Sequence, residues 1–170
     1  MKREIQAFDY AKEILQEVSK GVLLTTKAGG KVNTMTIGWG TMGVERGKPI
    51  FSVYVREHRH TYSMLEANGE FTINVPMGDC KQILAYCGTK SGRDTDKIAD
   101  LGLTLVEPTA VSVPGIRELP LTLECKVIYK QPQDPNAIPQ SIQDRYYHDN
   151  IPGDYHTAYY GEIVGAYIAE

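Results

Sequence analysis

The sequence predicts a mainly β protein: a small antiparallel barrel of six to seven strands, with short helices at the connections. Three observations carry this reading. Apolar runs and apolar/polar alternations recur along the chain, each bounded by Gly, Pro or Asn/Asp. The first three are joined by tight turns, Ala28-Gly29-Gly30-Lys31 and Glu45-Arg46-Gly47-Lys48, which leave no room for the crossover helices of a parallel sheet. At 170 residues the chain suits one domain, residues 1–170, with a substantial core and no internal repeat.

The elements follow in order. Phe8, Ala11, Ile14, Leu15 and Val18 recur at helical spacing, so a helix is expected over about residues 7–18, stopped by Gly21. Val22 to Thr26 is a strand that pairs through the first turn with Asn33 to Gly40. Ile50 to Val55 is the third strand. Thr61 is read as the N-cap of a short helix that Gly69 closes. Glu70 to Val75 is a strand ended by Pro76. Asp79 caps a helix placing Ile83, Leu84 and Cys87 on one side, and Asp94 caps another that Gly102 ends. Leu103 to Glu107, Leu121 to Gln131 and His156 to Ala169 are strands. Residues 132–154, rich in Pro and polar groups, form a long excursion.

Composition excludes several classes. Eighteen Lys and Arg against 21 Asp and Glu give a net charge of -3, which does not suggest a nucleic-acid partner. No apolar run approaches the roughly 20 residues that span a bilayer, so no membrane partner is expected. Three cysteines without zinc-like spacing read as reduced thiols of a cytoplasmic protein. There is no H-E-x-x-H, no paired C-x-x-C, no Walker loop, no G-x-S-x-G and no dinucleotide fingerprint, so no metal site is expected.

Four stretches carry candidate chemistry. Asn33 to Gly40 places two glycines around the only Trp of the chain, Trp39, where a strand bends or a flat ligand approaches the backbone. Arg56, His58, Arg59 and His60 precede the helix start at Thr61, an arrangement suited to a phosphate. Ser91 to Lys97 is a second polar loop leading to a helix. Taken alone, its Lys97 reads as a surface partner of Asp94 or Asp100. Gly153-Asp154-Tyr155-His156 sets a His at the start of the last strand, where it can donate to a ligand or shuttle a proton.

Together these segments resemble the flavin reductase-like family, the FMN-binding split barrels, and within it the flavoredoxin group. The matching residues are Asn33 to Gly40, Arg59-His60-Thr61-Tyr62, Gly69 to Pro76, Cys87 to Asp94, Asp96-Lys97, Leu119 to Cys125, and Gly153 with His156 before Gly161-Glu162-Ile163-Val164. The resemblance implies a homodimer with FMN near the subunit interface. It implies that Asn33, Thr34, Met35, Thr36 and Ile37 run along the flavin ring, with Trp39 beside it and Ser52, Val53, Tyr54 and Val55 as the adjacent wall. Arg59 and Thr61 would take the phosphate, and Ser91, Arg93 and Lys97 would close over the ribityl-phosphate side. His156 would approach the flavin as the catalytic residue, orienting nicotinamide or supplying a proton. The implied activity is that of an NAD(P)H-dependent flavin reductase. The alternative is a flavoredoxin-type carrier served by an electron-transfer protein partner, and a third reading is a non-redox binding module. Apart from Gly153, residues 132–154 match nothing in the family pattern and are expected to shape access to the flavin.

Overall fold

The computed structural model describes residues 1–147, 151 and 153–170. Its main element is one curled antiparallel sheet. The strands are β1 (Lys2–Glu4), β2 (Val22–Ala28), β3 (Lys31–Ile37), β4 (Gly40–Glu45), β5 (Lys48–Arg56), β6 (Glu70–Val75), β9 (Leu121–Pro132) and β10 (His156–Ala169). Their order is β3-β2-β6-β9-β10-β5-β4, with β1 paired to the far end of β10. The two remaining strands, β7 (Leu105–Val106) and β8 (Gly115–Ile116), form a separate ribbon.

Sequence-adjacent β3 and β4 stand at opposite edges of this sheet, yet only Gly38 and Trp39 separate them. A link that short can join two edges only if the sheet rolls until they meet, which is the closure expected of a split barrel. Among the described residues β3 pairs only with β2 and β4 only with β5, so both strands leave an open edge at the seam.

Strand alternation builds two layers. Val22, Leu24, Val53, Val55, Phe71, Ile73, Leu121, Leu123 and Tyr159 point inward and form the barrel core, closed by Ile14 and Val18 of α1 (Ala11–Val18) and Leu65 of α2 (His60–Ala67). The alternate residues of β2 and β6 point outward but are buried too. Leu23 joins Cys87, Ile116 and Leu119 beneath α3 (Lys81–Thr89) and α4 (Lys97–Leu101). Thr25, Thr34, Thr72, Asn74 and Thr122 are fully buried beside it. They are satisfied by one another: Thr25 Oγ1 lies 3.0 Å from Thr34 Oγ1 and donates to Asn74 Oδ1 at 2.7 Å, while Asn74 Nδ2 donates to Thr122 Oγ1 at 3.2 Å. Buried polar groups are tolerated on those terms. This ladder fixes β3 against its neighbours.

Several boundaries differ from expectation. The main sheet has eight strands rather than six or seven, because β1 adds to β10 and the Asn33–Gly40 strand is cut at Gly38. Residues 103–107 shrink to the two-residue β7. Neither Gly38 nor Gly40 has a positive φ, so the corner is not a left-handed bend. Gly40 is required for packing: a Cβ there would fall 2.8 Å from the Phe51 ring. Thr61 lies inside α2, whose N-cap is Arg59 without a capping side chain. Asn68, in extended backbone, closes that helix. Asp96, not Asp94, caps α4, its Oδ1 accepting from the Ala99 amide at 3.1 Å, and Gly102 ends it in the left-handed region. Asp94 belongs instead to a turn in which its amide donates to the Ser91 carbonyl. Phe8 and Leu15, expected on the buried face of the first helix, remain exposed. The excursion after β9 contains α5 (Gln140–Tyr146); its residues 148–150 and 152 lie outside the described ones.

Candidate functional site

The open edge of β3 faces a trough of two joined compartments. The first, about 160 Å³, lies between β3, the start of α2 and the loop from Gly88 to Lys97. The second, about 300 Å³, lies between the β3–β4 corner, the outer face of β5, His156 and Tyr146 of α5. Met35, Thr36, His58 and Arg59 line both.

Local structure explains the first compartment. The N-terminus of α2 has no capping side chain, so its free amides and positive dipole end face the cleft. Arg59, Lys90, Arg93, Lys97, His58 and His60 line it, and no carboxylate does among the described residues. The guanidinium groups of Arg59 and Arg93 have no ion pair among the described residues. The pKa of His60 is lowered by burial and by Arg93, Lys97 and Lys31, with no acid opposing them. On a chain of net charge -3, this concentration of positive charge gives the compartment a local potential suited to an anion. Thr61 is buried against it and accepts a hydrogen bond from Asn33 Nδ2 at 3.1 Å. Gly92 closes the loop over Asn33: a Cβ on it would fall 2.1 Å from Asn33 Oδ1.

Lys97 is not the surface group its spacing with Asp94 suggests. It is 4 % exposed, and its Nζ donates to the carbonyls of Thr34 at 2.7 Å and Cys87 at 3.1 Å. Burial lowers its pKa, and Arg59 lowers it further. The Thr34 carbonyl thus faces the open edge of β3, and by alternation the main-chain groups of Thr36 face the same edge, bordering the trough.

The second compartment is aromatic and cationic. Trp39 is 42 % exposed, with its ring 4.9 Å from His156 and edge-on to Tyr146 at 5.1 Å. Arg56 donates to the Tyr146 carbonyl, stacks over Tyr147 and lies 3.6 Å from Asp154. Burial, reinforced by Arg56, lowers the pKa of His156 to about 4, so at neutral pH it is an uncharged imidazole. The Tyr147 hydroxyl is 2.6 Å from His156 Nδ1 and 3.4 Å from Gln133 Oε1. Nδ1 is thus engaged by Tyr147, which leaves Nε2 as the ring nitrogen that can meet a ligand. His156 therefore enters the trough as an uncharged imidazole held at Nδ1.

Of the expected site residues, the trough brings together Asn33, Met35, Thr36, Ile37, Trp39, Tyr54, Arg59, Thr61, Ser91, Arg93, Lys97 and His156. It does not receive the side chains of Thr34, Ser52, Val53 or Val55. Val53 and Val55 turn into the barrel core, Thr34 joins the buried threonine ladder, and Ser52 is 1 % exposed. Consecutive strand residues cannot all face one ligand. The trough adds Arg56, His58, Gly92 and Tyr146 to the expected residues, and Gly92 lies within the polar loop already singled out. Arg56 and His58 stand in the basic run that the sequence singles out, and Tyr146 reaches the trough only through tertiary packing.

The rolled sheet carries a trough lined by cationic and aromatic side chains and, among the described residues, by no carboxylate: the architecture of a split-barrel protein. The chain belongs to the flavin reductase-like family, whose domain model ("Flavin reductase like domain") matches residues 16–170. The chain is 35 % identical over 98 residues to an uncharacterized protein of Archaeoglobus fulgidus, covering 58 % of this chain and 55 % of that one. The chain thus spans little more than half the length of that relative. Among solved structures, the flavoredoxin of Desulfovibrio vulgaris (Miyazaki F) is 26 % identical, with a TM-score of 0.69 over 88 % of this chain and 69 % of its own. Flavoredoxin from Methanosarcina acetivorans is 26 % identical, with a TM-score of 0.68 over 88 % of this chain and 68 % of its own.

Proposed function

We propose that this protein is an FMN-binding oxidoreductase of the cytoplasm, a single domain acting as a homodimer, that accepts hydride from NAD(P)H. The observation that carries the reading is the trough along the open edge of β3, lined by no carboxylate among the described residues. Its cationic compartment fits a phosphate, and its aromatic one fits a flat ring. Arg59, Arg93 and the amides at the start of α2 hold the phosphate. The Thr36 main chain offers donor and acceptor to the ring edge. Trp39 and Tyr146 exclude water from the ring's surroundings, and His156 positions nicotinamide through Nε2. FMN, when bound, supplies the hydride chemistry, so no nucleophile is required of the protein.

A second reading is a flavoredoxin-type carrier that receives electrons from a protein partner. The 26 % identity to a flavoredoxin over most of the chain favours it. Anaerobic mixing of the FMN-loaded protein with NADH and with NADPH separates the two. Prompt bleaching by either supports the reductase. Bleaching by neither, with FMN retained, supports the carrier. A protein that ignores added FMN sinks both.

A further inference from the structure

The helix α5 buries none of its residues, and at seven residues it is marginal without packing. Its place across the second compartment therefore rests on contacts at its C-terminal end. Arg56 of β5 makes two of them: its Nη2 donates to the Tyr146 carbonyl, and its guanidinium lies 5.1 Å over the Tyr147 ring. Tyr147 in turn reaches His156 Nδ1 at 2.6 Å, and Tyr155 donates to Gln143 Oε1 at 2.9 Å. The guanidinium also lies 3.6 Å from Asp154, a carboxylate 4 % exposed that bonds His58 Nδ1 as well.

We propose that Arg56 is a positioning residue: it holds Tyr146 against Trp39 as the outer wall of the ring compartment, and it is not a ligand of the flavin's phosphate. The inference rests on the flavin reading above. The two arginines of the trough divide the work. Arg59 lines both compartments, whereas Arg56 lines the aromatic one and not the cationic one. The Arg56 side chain is 13 % exposed, and its charge is already met by Asp154. A planar guanidinium with its donors in a fixed fork suits a strap, because it can bond a carbonyl at its edge while its face covers an aromatic ring.

The other walls of the compartment need no strap. Ile37 and Tyr54 stand on strands, and His156 begins another, so ladder hydrogen bonds fix them. Tyr146 comes from outside the sheet and meets Trp39 edge-on at 5.1 Å, a favourable aromatic geometry. Releasing Arg56 frees α5 to carry Tyr146 away from Trp39. That opens the ring's side of the trough and leaves the cationic compartment as it is.

Two readouts separate positioning from charge. Trp39 is the only Trp of the chain, so its fluorescence reports the Tyr146 contact. In the ligand-free protein, acrylamide quenching of Trp39 is expected to rise by up to about twofold in Arg56→Gln and Tyr146→Ala, since the residue is already 42 % exposed with the wall in place. The second readout is the dissociation constant for FMN and for riboflavin, which share the ring and differ in the phosphate. Arg56→Gln and Tyr146→Ala are expected to weaken both flavins by about tenfold and to keep the wild-type ratio between them. Arg59→Gln weakens FMN and spares riboflavin. Tyr146→Phe, which keeps the ring and the main-chain carbonyl, restores both readouts. If Arg56→Gln weakens FMN and spares riboflavin, Arg56 is a phosphate ligand and the proposal is overturned. Unchanged Trp39 quenching in Arg56→Gln overturns it too. Tyr146→Ala removes an exposed ring from a helix without buried residues, so it tests the wall even where Arg56→Gln does not fold. Unchanged affinity for both flavins in that variant also overturns the proposal. A wild type that binds neither flavin overturns the flavin reading and this inference with it.

Discussion

Gly92 has no room for a side chain. Its Cα is pressed onto Asn33 and His60, and any Cβ would lie 2.1 Å from Asn33 Oδ1 and 2.9 Å from His60 Cδ2. Asn33 in turn donates to Thr61, so the contact joins the loop, β3 and α2 around the cationic compartment. Gly92→Ala must push the loop or Asn33 aside. FMN affinity is expected to fall by about tenfold, roughly 1.4 kcal/mol. Gly43→Ala, with nothing within 4 Å of the added carbon, is expected to leave it unchanged. Fluorescence titration of both variants decides, and equal affinities would mean that the loop seats nothing. The glycines that the sequence makes conspicuous act differently: a Cβ on Gly38 meets only the Val18 carbonyl oxygen at 4.0 Å, and Gly40 spares the Phe51 ring.

At the scale of elements, α4 has a function out of proportion to its five residues. It carries Lys97 into the interior, where the ammonium bonds the Thr34 and Cys87 carbonyls and so ties α3 to the free edge of β3. A helix this short depends on its caps, because few of its backbone groups are paired internally. Asp96→Ala is expected to cost about 1 kcal/mol of stability. It should also weaken FMN binding, because Lys97 loses its anchor. Urea unfolding and FMN titration on the same variant check both. A stability loss with unchanged FMN affinity would confine α4 to a structural role.

For the whole molecule, pH acts through burial at the mouth of the barrel. The folded pKa of His156 is about 4, below the ordinary imidazole value of about 6.5, so protonation favours the unfolded chain. Its contribution is fully present above about pH 6.5 and is lost as pH falls through about 4, at most about 3 kcal/mol. Glu66 and Glu70 also have lowered pKa values, Glu66 held chiefly by Lys130, and Glu70 by Ser112 and Lys126 against an opposing burial cost. Their contributions fade only below the ordinary carboxylate range. Thermal melts of the wild type and His156→Gln from about pH 7 to about pH 5 should therefore diverge, with the variant the flatter. Parallel melting curves would show that the imidazole is not desolvated as its surroundings require.

Much of this architecture is legible in the residues. The tight turns at Ala28–Lys31 and Glu45–Lys48, the apolar periods of β2, β5, β6 and β9, and the basic run before α2 are local signals. Local backbone preference and side-chain alternation act within a few residues, so the sequence by itself determined an antiparallel barrel and a cationic helix start. It could not say that Ser52 to Val55 would divide between core and surface, because that depends on which face the barrel closes over. Nor could it seat Lys97 inside, Tyr146 over Trp39 or Asp154 behind His58. Those contacts join residues 63, 107 and 96 positions apart. Only the rolled sheet brings them together, since burial and electrostatic pairing act through space while sequence patterns act along the chain.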